Sequence, residues 1–187
     1  MTYVDNDGAG VYYEAHGSGP GVLFVHGSGG HHAAWWQQVS ALMDDYTVIT
    51  VDLRGFGNTR WSADRAVAEK VPVLDRLLTP EFRAKRPDLA FLFRQMGTFN
   101  TAKMQDLTNL NSDGPTVSEL GGAPFPLLLL AGGKDAVLSP STVRRAGELL
   151  PNARVEVVAD APHSMYWERP DLFNDAIRRF LKEVAAA

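Results

Sequence analysis

The sequence predicts an α/β fold on a mostly parallel sheet, and three observations carry that prediction. Short apolar runs with no polar alternation, GVLFVHG at 21–27, YTVITVDL at 46–53 and FPLLLLAGG at 125–133, have the composition of strands covered on both faces. Stretches with apolar residues at helical spacing follow the first and third of these runs. Strand and helix alternate in this way at both ends of the chain, as they do where helices make the crossovers between parallel strands.

The elements follow in order. TYVDNDGAGVYYEAHG at 2–17 reads as a hairpin, two β-prone runs around an Asp7-Gly8 turn. After GVLFVHG, the residues Trp35, Trp36, Val39, Leu42 and Met43 mark one face of a helix. The strand YTVITVDL then runs into the glycine loop RGFGNT. In the last third, FPLLLLAGG is a strand and SPSTVRRAGELLP a helix with Ser139 as N-cap and Pro140 at its first position. ARVEVVADAPH is the next strand, and the helix RPDLFNDAIRRFLKEVA has an inward stripe of Phe173, Ile177, Phe180, Leu181 and Val184.

Between these ends the strand signals stop. The stretch from Ser62 to Asn111 reads as two or three helices broken at Pro80, Pro87 and Gly97, with apolar residues at Leu89, Leu92, Phe93 and Met96. The organisation expected is one structural domain in three parts: 1–61 as the N-terminal half of the core, 62–121 as a helical cap-like segment, and 122–187 as the C-terminal half. Helices that only cover the sheet are the plainer reading of the middle part.

Composition bounds the function. A formal net charge of -4 on 187 residues, with no long like-charge run, argues against nucleic-acid and membrane partners. The chain has no cysteine, hence no disulfide, thiolate nucleophile or thiolate-held metal. MTYVDNDGAG lacks the basic and apolar regions of a secretory signal, and PLLLLAGG is too short to span a bilayer, so a cytoplasmic protein is expected. No phosphate loop or dinucleotide fingerprint is present and no cofactor is expected. A metal site among His26, His31 and His32 is not expected either, because adjacent His31 and His32 point in different directions and no acidic residue lies at a ligand spacing typical of zinc.

Four motifs occur in a telling order: HGSGG at 26–30, DLRGFGNT at 52–59, LLLLAGGKDAVLSP at 127–140 and DAPHSMYWERPDLF at 160–173. With them the chain resembles the α/β-hydrolase superfamily, in particular its capped esterase-like and C–C-hydrolase-like members, over nearly its whole length. The resemblance implies that His163 is the general base and Asp135 the carboxylate that orients it, since a neutral imidazole can take a proton while a carboxylate on its other nitrogen fixes the tautomer. It implies that Gly27 and Ser28 form the oxyanion loop, whose backbone N–H groups meet the charge that develops on an attacked carbonyl. Trp36, Phe91, Phe93, Phe99, Tyr166 and Trp167 are the aromatic residues expected to bind a small apolar, ester-like substrate.

One part of the family pattern is absent. The superfamily carries its nucleophile on a strand-to-helix turn of the form G-x-S-x-G, or the same turn bearing Asp or Cys. None of the nine serines, Ser18, Ser28, Ser40, Ser62, Ser112, Ser118, Ser139, Ser141 and Ser164, has glycine at both minus two and plus two, and no aspartate does. The resemblance implies that family strands 5 and 6 are missing with that turn, leaving strand 3, GVLFVHG, free to pair with strand 7, FPLLLLAGG. A six-stranded sheet of order 1-2-4-3-7-8 follows, or else a homodimer closed through the freed edges.

Three functions remain open at this point. The first is a hydrolase of esters or lactones that works through His163 and Asp135 without the usual nucleophile, with Ser28 as a substitute nucleophile in one variant. The second is a non-catalytic module that binds a ligand or a partner, and the third a deletion or engineered product of a longer hydrolase.

Overall fold

A computed structural model describes residues 2–6, 8–27, 29–59, 77–100, 121–122 and 124–186. The chain divides into two compact units, Met1–Val71 with Arg86–Thr108, and Pro72–Lys85 with Asn109–Ala187. Each is mixed α/β, as the sequence predicts.

In the first unit, β1 (Thr2–Asn6) and β2 (Ala9–His16) pair antiparallel from Thr2↔Tyr13 to Asn6↔Ala9. Gly8 takes φ 77° in the connecting turn, a left-handed conformation open to glycine at no steric cost. β3 (Gly21–Phe24) and β4 (Thr47–Val51) run parallel with Leu23 opposite Ile49, and β4 also pairs antiparallel with β2, giving the order β1-β2-β4-β3. Phe24, Val48 and Leu42 are buried here, and the Phe24 ring lies 5.0 Å from that of Trp35. Cutting Leu42, which is wholly buried, to alanine would cost about 2–5 kcal/mol.

The crossover from β3 to β4 differs in phase from the sequence expectation. It opens as a 3-10 turn, His32–Trp35, and becomes α1 only at Trp36–Leu42. A 3-10 turn advances three residues per turn rather than 3.6, so the inward face shifts to Ala34, Gln38 and Leu42. Trp36 and Met43, expected on that face, are exposed.

After β4 the chain folds back over Asp52, whose side chain is wholly buried. The carboxylate accepts from the backbone N–H of His32 at 2.6 Å and of Asn58 at 2.6 Å. Gly57, at φ 50°, passes so close that a Cβ there would sit 2.1 Å from Asp52 Oδ2. The glycines of the DLRGFGNT loop thus let the backbone close on a buried carboxylate.

The second unit holds β5 (Leu127–Gly132) and β6 (Ala153–Val158), paired parallel from Leu127↔Ala153 to Gly132↔Val158. The helical segment contributes α2 (Pro80–Lys85) to this unit and α3 (Pro87–Met96) to the first. Both begin at a proline, which suits a first helical turn because its missing N–H has no helical partner there, and α3 gives way to a 3-10 turn at Gly97–Phe99. The crossover helix α4 (Pro140–Glu148) is capped by Ser139, whose hydroxyl accepts from the Thr142 N–H at 3.3 Å. Two helices follow β6, α5 (Met165–Glu168) and α6 (Pro170–Ala186). Phe173, Ile177, Phe180 and Leu181 are half-buried on α6, Asn174 and Ala176 lie deeper, and Val184 is exposed.

The 1-2-4-3 part of the expected order forms in the first unit as a four-stranded sheet, and the expected seventh and eighth family strands pair as β5 and β6 in the second. β3 is only four residues long, and Leu23 and Val25 remain exposed beside its outer edge. Among the described residues, no helix is long and apolar enough to cross a membrane.

Candidate active site

The parallel pair β5 and β6 places the central residues of the second unit. β5 ends at Gly132, and the following turn carries Asp135, while the loop after β6 carries His163. The turns are tied together by the Lys134 N–H, which donates to the Ala161 carbonyl at 2.9 Å. Ligand sites in parallel sheets form at these carboxyl ends of the strands.

Asp135 is fixed before it meets the imidazole. Its Oδ1 accepts from the backbone N–H groups of Val137 at 2.7 Å and Leu138 at 2.8 Å. Oδ2 is left to accept from His163 Nδ1 at 2.9 Å. This hydrogen bond sets the neutral tautomer with its proton on Nδ1 and the lone pair on Nε2. The Asp135 side chain is 7% exposed and that of His163 39%, so the carboxylate is shielded while the imidazole is open.

A cavity of about 130 Å³ adjoins the pair, lined by Leu130, Asp135, His163, Tyr166 and Phe173 among others. The Tyr166 and Phe173 rings meet edge to face at 6.3 Å. Burial pushes the Tyr166 phenol up to about 12, so it stays neutral and acts as a hydrogen-bonding group rather than an anion. A second cavity, about 240 Å³, is lined by Thr79, Glu81, Lys134 and Pro162 among others.

The loop bearing His163 is also held by the residues just before α2. Glu168 at the end of α5 accepts from the Thr79 N–H at 2.8 Å and the Thr79 hydroxyl at 2.6 Å, and the Ser164 N–H donates to the Leu77 carbonyl at 3.0 Å. These bonds brace both flanks of the turn that follows the histidine.

The structure brings together His163, Asp135 and Tyr166 from the expected set. Trp167, expected to bind substrate, is 1% exposed and packs in the core, while its neighbour Tyr166, about 100° round the helix, lines the cavity. In the first unit, Trp36 is exposed on α1, Phe93 is half-buried on α3, and Phe91 on the outer face of α3 is 64% exposed. The Phe99 side chain and Ser28 lie outside the described residues. Gly27 is described, and its carbonyl accepts from the Gly30 N–H at 3.1 Å and from His26 Nδ1 at 2.7 Å.

His26 is locked as a structural residue. With Nδ1 donating to Gly27, its Nε2 accepts from the Leu53 N–H at 3.0 Å, and burial holds its pKa below the ordinary histidine value. One cavity residue was missed: Phe173, whose helical spacing reads as core, lines the space beside His163. Its place in the first turn of α6, three residues after Pro170, is the signal that could have found it.

Comparison with known proteins agrees with this architecture. A family model described as the alpha/beta hydrolase fold matches residues 20–83. The chain is 43% identical over 49 residues to a pimeloyl-[acyl-carrier protein] methyl ester esterase of Vibrio atlanticus, a match covering 26% of this chain and 19% of that protein. It is 36% identical over 77 residues to a Bacillus subtilis protein named as an uncharacterized carboxylesterase, over 38% of this chain and 26% of the relative. The chain therefore matches about a fifth to a quarter of the length of these curated relatives. Among solved structures, a thermophilic esterase from Thermogutta terrifontis superposes with TM-score 0.80 at 20% identity, covering 98% of this chain and 97% of that one. The enol-lactonase from Burkholderia xenovorans LB400 gives 0.82 at 18% identity, over 96% and 99% of the two chains. The chain is a protein of the α/β-hydrolase fold.

Proposed function

We propose that the chain hydrolyses an ester or lactone of a small apolar compound, with His163 as general base and a water molecule as the attacking group. The observation that supports this is the 2.9 Å bond from His163 Nδ1 to an Asp135 carboxylate already fixed by two backbone N–H groups. In the first step Nε2 takes a proton from water as the water oxygen bonds to the carbonyl carbon. Asp135 stabilises the imidazolium that forms. The tetrahedral intermediate then collapses, its bond to the alkoxy oxygen breaks, and Nε2 returns the proton to that oxygen, leaving acid and alcohol. The reading includes the oxyanion role expected for the Gly27 and Ser28 backbone.

Water is assigned the attack because the sequence holds no G-x-S-x-G turn. Triad enzymes stripped of their nucleophile retain roughly 10³–10⁴-fold over water from binding and oxyanion stabilisation, so turnover is expected to be slow and free of an acyl-enzyme burst. The test is hydrolysis of p-nitrophenyl acetate by the wild-type chain and by His163→Ala. A fall of about 10²-fold or more supports the reading, on the usual scale of general-base catalysis. Unchanged turnover overturns it. A serine-directed phosphonate that attaches to Ser28 would transfer the attack from water to that hydroxyl.

The missing turn favours a second reading, a binding module of the same fold. Saturable binding of a carboxylate or lactone in the Tyr166 and Phe173 cavity, with no turnover of any activated ester, would establish it in place of the first.

A further inference from the structure

We propose that His31, His32 and Asp52, in the first unit, form a binding site for a divalent transition-metal ion such as Zn²⁺ or Co²⁺. Each offers one ligand atom, and the three atoms lie within 4.8 Å of one another. Two imidazoles and one carboxylate are a donor set that suits borderline ions and leaves room for water. The expectation that these histidines lack an acidic partner is thereby corrected. Sequence spacing hid Asp52 because it stands 20 residues from His32, yet the parallel pairing of β3 with β4 carries both to the same end of the sheet.

The surroundings are those of a built site rather than a surface coincidence. Asp52 is wholly buried, and two backbone N–H groups aim its carboxylate. The His32 side chain is 13% exposed, and its ring lies 5.0 Å from that of His31. His32 Nε2 faces Glu14 Oε1 at 3.7 Å, and Glu14 is itself held by the Tyr12 hydroxyl at 2.5 Å and by His16 Nε2 at 3.2 Å. A carboxylate behind the outer nitrogen of an imidazole is the arrangement that fixes metal-ligating histidines.

Metal entry requires a tautomer exchange and a small movement. His32 Nδ1 now lies 2.8 Å from Asp52 Oδ1, with a proton between them. On binding, that proton is replaced by the ion and His32 carries its hydrogen on Nε2, facing Glu14, so the ring stays neutral and no net proton is released by this exchange. Two ligands of a tetrahedral zinc stand about 3.4 Å apart with bonds of about 2.0–2.1 Å. The His32 and Asp52 atoms therefore open by about half an ångström, and His31 closes toward them.

The test is titration of the metal-free full chain with Co²⁺, followed by visible absorption and calorimetry. One equivalent bound at micromolar concentration, with d–d bands of a nitrogen- and oxygen-ligated ion, is the expected result. His31→Ala should weaken binding by about tenfold or more, as should Asp52→Asn where it folds, whereas His163→Ala should leave the stoichiometry and bands in place. Absence of saturable binding by the wild type, or equal affinity in folded His31→Ala, overturns the proposal. The wild-type titration and His31→Ala decide the matter even if Asp52→Asn does not fold.

Discussion

The two units each hold a histidine against an aspartate, and the pairs differ in what surrounds the second imidazole nitrogen. In the first unit, His32 meets an Asp52 that is 0% exposed, with Glu14 facing its other nitrogen at 3.7 Å. In the second, His163 meets an Asp135 that is 7% exposed, and the imidazole is 39% exposed beside a cavity. Distance does not separate them, since the contacts are 2.8 Å and 2.9 Å. Access does: the His163 ring is open beside a cavity, whereas the His32 ring is enclosed between two carboxylates.

Replacing each aspartate by asparagine breaks the comparison most strongly. Asp135→Asn keeps an acceptor for the Val137 and Leu138 N–H groups but turns an amide N–H toward His163 Nδ1, favouring the wrong tautomer. Ester turnover should fall by about 10²–10⁴-fold with little loss of stability, as thermal unfolding and p-nitrophenyl acetate kinetics would show. Asp52→Asn removes a buried charge that gathers two backbone donors and an imidazole, and should cost about 3–5 kcal/mol of stability in urea unfolding. Equal stability losses in the two variants would erase the distinction.

Gly57→Ala probes the enclosure of Asp52 from the other side. The alanine Cβ would fall 2.1 Å from Oδ2, so the loop must move away and give up the Asn58 bond. A loss of about 1–3 kcal/mol is expected in chemical denaturation. The counterpart in the second unit is Thr79→Val, which takes one of two bonds from Glu168 and should cost only about 1 kcal/mol.

The same contrast separates what was legible in the sequence from what was not. The hairpin, the parallel runs and the Ser139 cap depend on local chemistry, and they stand in the structure near the expected bounds. The contact of His163 with Asp135 was legible because each residue lies in a motif at the end of a strand. The Asp52 and His32 pair was not, since its partners meet only through strand adjacency. Trp36 misled for a third reason: a 3-10 opening to the helix rotated it outward, and the amino-acid spacing is the same for either kind of turn.

The smallest effect expected is a dependence of stability on pH that belongs to the first unit. His26 is buried with both ring nitrogens engaged, so its pKa in the fold lies below that of the unfolded chain. As pH falls through the ordinary histidine value near 6.5, the unfolded chain takes up a proton that the folded one refuses. Stability is therefore complete above that value and declines below it, until the folded-state pKa is also passed. Denaturant midpoints measured from neutral to mildly acidic pH should fall, and a folded His26→Asn variant should show a flatter slope over the same window. A slope unchanged in that variant would move the acid sensitivity elsewhere.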